Sequence, residues 1–332
     1  MKISVVIPVR NEQESIGSLL DNLLAQRRVP DEIVITDGGS TDRTARIIEE
    51  YIERGAPVRL ILSGAALPGR GRNLAASQAS HDWLAFIDAG IRPATDWLGA
   101  LAREAEHDES VDVVYGLYEP ITDSFFKECA AIAYVPPPVE TGGARLRPRS
   151  IASALMRRDV WRAAGGFPEN LRSAEDLLFM DEVERLGFKH AHTADAVVHW
   201  NIQPTLWRTF KRFVTYSRSN IRAGLWRNWQ AAIFKRYLLI LLLSLPAFLV
   251  GWWWLVVTMA VWLLLILTRS VVALRRNRYS YPGSVWRNAL RLLWLAPLVA
   301  TLDAATFVGS INWLFADKLH LAGGAVDVHN GA

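Results

Sequence analysis

Thirty-two consecutive residues between Arg236 and Arg269 carry no charge, opening as YLLILLLSLPAFLVGWWWLVV and closing as WLLLILT. Wound as one helix they would span about 48 Å, far more than a bilayer core of about 30 Å. Pro246 and Gly251 interrupt the run. It therefore reads as two membrane helices, roughly 231–250 and 252–271, with Lys235 and Arg236 snorkelling at one end. A second apolar run, 292–316, has Asp303 as its only charge and is long enough to cross once. A carboxylate near mid-bilayer is costly unless protonated or paired between helices, so a shallow re-entrant hairpin bent at Asp303 competes with a third crossing.

Charge divides the chain at nearly the same place. Residues 1–200 hold 22 basic and 30 acidic side chains, whereas 201–332 hold 15 and 3. Ten of the 14 Trp also lie in the second part, and cations with aromatics beside apolar helices fit a membrane border, not a nucleic-acid groove. Within 204–235, Trp207, Phe210, Val214 and Ser217 share one helical face ringed by Arg208, Lys211, Arg212 and Arg218, the pattern of an interfacial connector. Lys235 and Arg236 flank the long apolar run on one side, and Arg269, Arg275, Arg276, Arg278, Arg287 and Arg291 follow it. Both flanks seek the cytosol, which requires an even number of crossings between them. A third crossing would place the tail, 317–332, outside. The lone Cys129 allows no internal disulfide, and the apolar stretch after Met1 is too short for a signal peptide, so a cytosolic face is expected for the first part.

Before Pro204 the pattern is strand alternating with helix. Residues 3–7, 32–36, 58–62, 83–88 and 112–116 are short β-rich runs. Between the first two, Ile16, Leu19, Leu20, Leu23 and Leu24 form an apolar helical stripe, and Asn11 with Glu14 reads as a capping box. The alternation predicts an α/β domain with a mostly parallel, Rossmann-like sheet flanked by helices, whose ligands bind beyond the carboxyl ends of the strands. Those ends carry ProValArgAsnGlu (8–12), AspGlyGlySerThrAspArgThr (37–44) and AspAlaGly (88–90). Asp37 can accept from a base or ribose donor, and Gly38 and Gly39 let the backbone approach a ligand.

SerValValIleProValArgAsnGlu, IleValIleThrAspGlyGlySerThrAspArgThr, GlyArgGlyArgAsnLeuAla (69–75) and LeuAlaPheIleAspAlaGly (84–90), in that order, resemble the successive motifs of family 2 glycosyltransferases of the GT-A fold. The resemblance covers roughly residues 1–200. It implies inverting transfer of a sugar from a nucleotide donor. It places the nucleoside against Pro8, Val9, Glu12 and Asp37, and the rest of the donor beside Arg70, Arg72, Asn73 and Asp88. It further implies that Arg212 closes over the donor.

The family's Asp-x-Asp loop supplies two carboxylates to a divalent metal, Mg²⁺ or Mn²⁺, that neutralises the departing diphosphate. Here Gly90 stands where the second carboxylate would be. Asp88 supplies one ligand, and a late His199 is a candidate for another. Alternatively Arg70, Arg72 or Arg92 replaces the ion's charge. A GlyGlyPhe turn leading to Glu175-Asp176 is similar to the family's acceptor-side segment. The resemblance implies that Asp176 is the general base and Glu175 its orienting or acceptor-binding neighbour; read without it, both are acids favoured in the first turn of a helix.

The expected organisation is a GT-A domain (1–203), an amphipathic connector (204–235), about three transmembrane helices (236–316) and a tail. The expected activity is transfer of a sugar to a membrane-proximal, lipid-linked acceptor in glycan or polysaccharide synthesis, by a multi-pass protein of the inner (plasma) membrane with its catalytic domain in the cytosol. A catalytically inactive nucleotide-sugar-binding or assembly subunit is the rival, motivated by Gly90.

Overall fold

The structure, a computed structural model, describes residues 1–141 and 143–319. Most of the expected tail, 320–332, lies outside the described residues. Two compact units emerge among the described residues: Met1–Ile121 with Pro138–Asn201, and Thr122–Pro137 with 202–319. Residues 122–137 belong with the second unit.

The first unit contains β1 (Ile3–Val9), α1 (Ile16–Leu24), β2 (Glu32–Asp37), α2 (Thr44–Glu53), β3 (Val58–Leu62), α3 (Pro68–Gln78), β4 (Trp83–Phe86), β5 (Ile91–Pro93), α4 (Trp97–His107) and β6 (Val113–Ile121). After α5 (Phe125–Tyr134) of the second unit it continues with β7 (Val139–Thr141), β8 (Ala144–Leu146), β9 (Ala154–Arg157), α6 (Arg158–Ala163), α7 (Glu175–Arg185) and β10 (His190–Asn201). Eight strands form one sheet in the order β3-β2-β1-β4-β9-β6-β10-β5. The pairs β1–β2, β1–β4, β2–β3 and β6–β10 are parallel; β9 runs antiparallel between β4 and β6, and β5 antiparallel to β10.

Burial on both faces explains the near-continuous apolar strands. Ile3, Val5 and Ile7 face a core with Ile16, Leu19, Leu20 and Leu23 of α1, whereas Val6, Val34 and Phe86 face the other layer with Ala75 and Ala76 of α3 and Phe179 of α7. The expected stripe of α1 is thus buried. Its cap is different: Ser15 precedes the helix, and the N–H groups of Ser15 and Ile16 donate to the Glu12 carbonyl, so Asn11 and Glu14 form no capping box.

The second unit contains α5, α8 (Leu206–Arg222), α9 (Gln230–Ser244), α10 (Ala247–Val250), α11 (Trp254–Arg276) and α12 (Val285–Asn312), which ends in π-helical turns, Trp313–Lys318. Three segments, Gln230–Val250, Trp254–Arg276 and Val285–Lys318, are long and apolar enough to cross a membrane. The chain is left-open at Gly251, φ +115°, where α10 gives way to α11.

α12 continues unbroken through Asp303. The Asp303 carboxylate is fully buried and paired with Arg269 of α11, with Nη2 at 3.0 Å from Oδ1, while the Tyr237 hydroxyl donates to it at 3.2 Å. Pairing between helices removes the reason for a bend there. Arg269 is accordingly a helix-to-helix contact, and Arg287 and Arg291 both hold Glu128 of α5, so three of the six expected flanking cations are ion-paired within this unit. In α8, the side packed on α12 is small and polar: a Cβ on Gly309 would lie 2.5 Å from the Val214 carbonyl oxygen, and Ser217 Oγ donates to the Thr306 carbonyl at 2.8 Å. Trp207, expected on the apolar face, is 63% exposed and stacks on Phe210.

Candidate active site

The carboxyl ends of β1 and β2 lie side by side, Pro8 against Thr36 and Val9 against Asp37. Pro8 is half-buried, Val9 and Asp37 are buried, and Asp37 Oδ1 accepts from the Ser40 N–H at 2.7 Å. Asn11, at φ +54°, crosses between the two loops: its Oδ1 accepts from the Thr41 N–H at 2.8 Å and its own N–H donates to Ser40 Oγ at 2.9 Å. The Glu12 N–H donates to Thr44 Oγ1, and its carboxylate accepts from Ser15 Oγ. Close packing continues into the loop after β3, where a Cβ on Gly38 would lie 2.5 Å from the Ala66 carbonyl oxygen.

Helix α3 brings the next group. Pro68 occupies its first turn, where no N–H is needed. A Cβ on Gly71 would lie 3.0 Å from Pro8 Cβ, and one on Gly69 only 2.1 Å from the Pro168 carbonyl oxygen. These two glycines let α3 descend onto both the end of β1 and the turn at 167–169. Arg72 is thereby carried inside, 4% exposed, where Nη2 donates to Asp88 Oδ1 and Nη1 to Glu175 Oε1, each at 2.6 Å. Its guanidinium lies 5.4 Å over the ring of Phe167, which stacks on Phe179.

Glu175 and Asp176 open α7 immediately after Ala174, which adopts a left-handed φ of +71°. Burial pushes the Glu175 carboxyl up, against Arg72 and with the help of Asp176. Burial likewise pushes Asp176 up, opposed by Arg72 and reinforced by the Asp88 charge. Burial works against the Arg72 charge, but the carboxylates of Asp88, Glu175 and Asp176 outweigh it and raise its pKa. Glu175 Oε2 is buried with no hydrogen-bond partner among the described residues. The site thus holds a fixed cation, an unfilled acceptor atom and a carboxyl whose proton affinity exceeds that of an ordinary aspartate, at the positive end of a helix.

Asn73 is turned toward the GlyGlyPhe segment: its Nδ2 donates to the Phe167 carbonyl and Glu169 Oε1, each at 2.9 Å, and its Oδ1 accepts from the Phe167 N–H and Trp161 Nε1. It staples the GlyGlyPhe turn to α3. His199 stands on β10 in register with Arg92 and Glu119, half-buried, and no group of three or more His, Cys, Asp or Glu able to hold a cation, with Asp88 or His199 in it, forms among the described residues.

The donor set does not fit the divalent ion that the resemblance implies. Asp88 commits one oxygen to Arg72 and Glu12 is bonded to Ser15, although the Glu12 carboxylate lies 3.8 Å from where a Cβ on Gly90 would begin. A guanidinium beside the remaining ligand opposes a second cation. Arg70 is exposed on α3.

Phe167 and Gly69, which set the position of Arg72, were not singled out from the sequence; the Gly-x-Gly spacing at 69–71 on a helix is the signal that points to them.

Residues 4–157 match the model of Glycosyl transferase family 2. The poly(ribitol-phosphate) beta-N-acetylglucosaminyltransferase TarS of Staphylococcus aureus is 32% identical over 192 residues, 54% of this chain and 32% of TarS. An undecaprenyl-phosphate 4-deoxy-4-formamido-L-arabinose transferase of Serratia proteamaculans is 33% identical over 135 residues, 39% of this chain and 41% of its own. The chain thus spans less than half the length of either curated relative. Among solved structures, the mannosyltransferase PcManGT of Pyrobaculum calidifontis, in complex with GDP-Man and Mn²⁺, aligns over 95% of this chain and 88% of its own with a TM-score of 0.55 at 19% identity. That likeness is one of fold, a GT-A-type α/β domain.

Proposed function

We propose that this protein is an inverting glycosyltransferase that moves a sugar from a nucleotide-sugar donor to a lipid-linked or membrane-proximal acceptor in glycan synthesis. The observation that carries the reading is Arg72, a buried guanidinium joining Asp88, beyond β4, to Glu175, at the start of α7. One residue links the loop assigned to the donor with the pair assigned to the acceptor. Relatives that act in polymer and undecaprenyl-phosphate chemistry, by their names, support the substrate class.

In this reading Pro8, Val9, Glu12 and Asp37 hold the nucleoside, and Arg70, exposed on α3, meets the diphosphate. Asp176 takes the acceptor hydroxyl proton as the oxygen bonds to the anomeric carbon, and the bond from that carbon to the diphosphate breaks on the opposite face. Glu175 Oε2 receives a hydrogen bond from the acceptor. Arg72 opposes the rise that burial imposes on the Asp176 carboxyl and holds Asp88 in place. Three membrane crossings, with residues 1–203 on the cytosolic side, bring the acceptor to the bilayer surface.

The test is incubation of membranes containing the protein with a panel of labelled nucleotide sugars, followed by lipid extraction. Label from at least one donor is expected in the lipid fraction. Donor binding without any transfer across the panel would favour the inactive, binding-subunit reading that Gly90 motivates.

A further inference from the structure

The second unit has a pronounced imbalance of charge. Its described residues include 16 Lys and Arg but only four acids, Asp123, Glu128, Asp303 and Asp317. Each acid is taken: Asp123 by Lys127, Glu128 by Arg287 and Arg291, Asp303 by Arg269, and Asp317 by Arg218 and Arg222. Among the described residues of this unit, the four acids leave other cations, Arg227 and Lys235 among them, without a carboxylate in an ion pair.

Two of those cations share a cavity of about 480 Å³ lined by Trp226, Arg227, Ala231, Phe234, Lys235 and Leu238. Ala231, Phe234, Lys235 and Leu238 recur at i, i+3, i+4 and i+7, one face of α9. Arg227 and Trp226 come from the turn before that helix, with the guanidinium 5.7 Å over the indole ring. The cavity is therefore cationic at the helix start and apolar beyond it. The apolar side continues along the same face, where Leu238, Leu241, Leu242 and Leu245 are 55%, 60%, 53% and 49% exposed. Since Gln230–Val250 is long enough to cross a membrane, Lys235 and Arg227 stand at the level of lipid phosphates, and the leucines at the level of acyl chains.

We propose that this cavity binds an anionic phospholipid of the surrounding bilayer, its phosphate between Arg227 and Lys235 and one acyl chain along the leucine face of α9. Charge complementarity selects an anionic headgroup over a zwitterionic one, and the apolar face selects a lipid over a soluble phosphate. The site is independent of the sugar-transfer reading and stands or falls without it.

The test is native mass spectrometry of the full chain in non-ionic detergent, titrated with phosphatidylglycerol and with phosphatidylcholine of the same acyl chains. The wild type is expected to bind one phosphatidylglycerol more tightly than phosphatidylcholine. Arg227→Gln and Lys235→Gln should each weaken phosphatidylglycerol about fivefold, and the double variant roughly twentyfold, with phosphatidylcholine unchanged. Arg275→Gln/Arg276→Gln removes the same charge elsewhere and should retain wild-type binding. If the double variant fails to purify, the single variants decide the matter. Equal affinity for the two lipids, or equal loss in the Arg275/Arg276 control, overturns the proposal. Displacement of phosphatidylglycerol by a tighter polyprenyl monophosphate overturns it in favour of an acceptor site.

Discussion

Arg72 is the side chain on which the candidate site turns, because three carboxylates face one buried guanidinium. Removing its charge should raise Asp176 further, since Arg72 is what opposes burial there. A base must be ionised to act, so activity is expected to rise with pH through the Asp176 pKa, which lies above the ordinary aspartate range. Arg72→Gln should move that acidic limb of kcat/KM to higher pH, whereas Arg72→Lys should restore most of the shift. A limb that stays put in the Gln variant would separate Arg72 from the titration of the base. Stability follows the same linkage: a carboxyl raised on folding stabilises the protein at acid pH and loses that contribution as pH climbs through the folded value. Gly90 offers a second residue-level test. Its Cβ position is open and faces the Glu12 carboxylate, so Gly90→Asp should create a divalent site. Mn²⁺ is expected to raise the Tm of Gly90→Asp by ligand linkage and to leave the wild type nearly unchanged; a comparable rise in the wild type would contradict the misfit of the donor set.

Elements, in contrast to single side chains, depend here on close backbone approaches. Gly166 has φ +75°, and a Cβ on it would lie 2.7 Å from Asn73 Oδ1, the atom that accepts from Phe167 and Trp161. Gly166→Ala is expected to cost at least about 1–2 kcal/mol from the left-handed backbone alone, measured by chemical denaturation, and to loosen the turn that leads into α7. No loss of stability would mean that the Asn73 staple is dispensable. Strands β1 to β4 and helix α1 were legible in the sequence because each is a strongly patterned local run. The short strands β5, β7, β8 and β9 were not. β9 is only AlaLeuMetArg, and its place between β4 and β6 is decided by antiparallel partners about 40 and 70 residues away. The motif around 69–75 marked a donor-side segment but neither that it lies on a helix nor which way its side chains point: Arg72 turns inward to carboxylates and Asn73 to a turn, a distinction set by Gly69 and Gly71. The cap of α1 was misread for a related reason, since Asn11 is claimed by Ser40 and Thr41, some 30 residues away.

At the scale of the whole molecule, the charge asymmetry and the apolar runs were legible at once, while the fate of individual charges was not. Asp303 looked prohibitive until Arg269 supplied its partner. With Arg269, Arg287 and Arg291 internally paired, Arg275, Arg276 and Arg278 carry the positive-inside signal for the segment after α11. A reporter fused at Ser280 is therefore expected on the cytosolic side and one at Gly251 on the far side; the opposite pair would reverse the orientation that brings residues 1–203 to the cytosolic nucleotide sugars. The central claim, that the Glu175-Asp176 helix start performs sugar transfer, is tested most directly by Asp176→Asn, assayed for transfer to extracted lipid alongside calorimetric donor binding. The amide keeps the shape and cannot take a proton, so turnover should fall by about 10² to 10⁴ with donor affinity within a few-fold of wild type. Near-normal turnover in that variant would contradict the account.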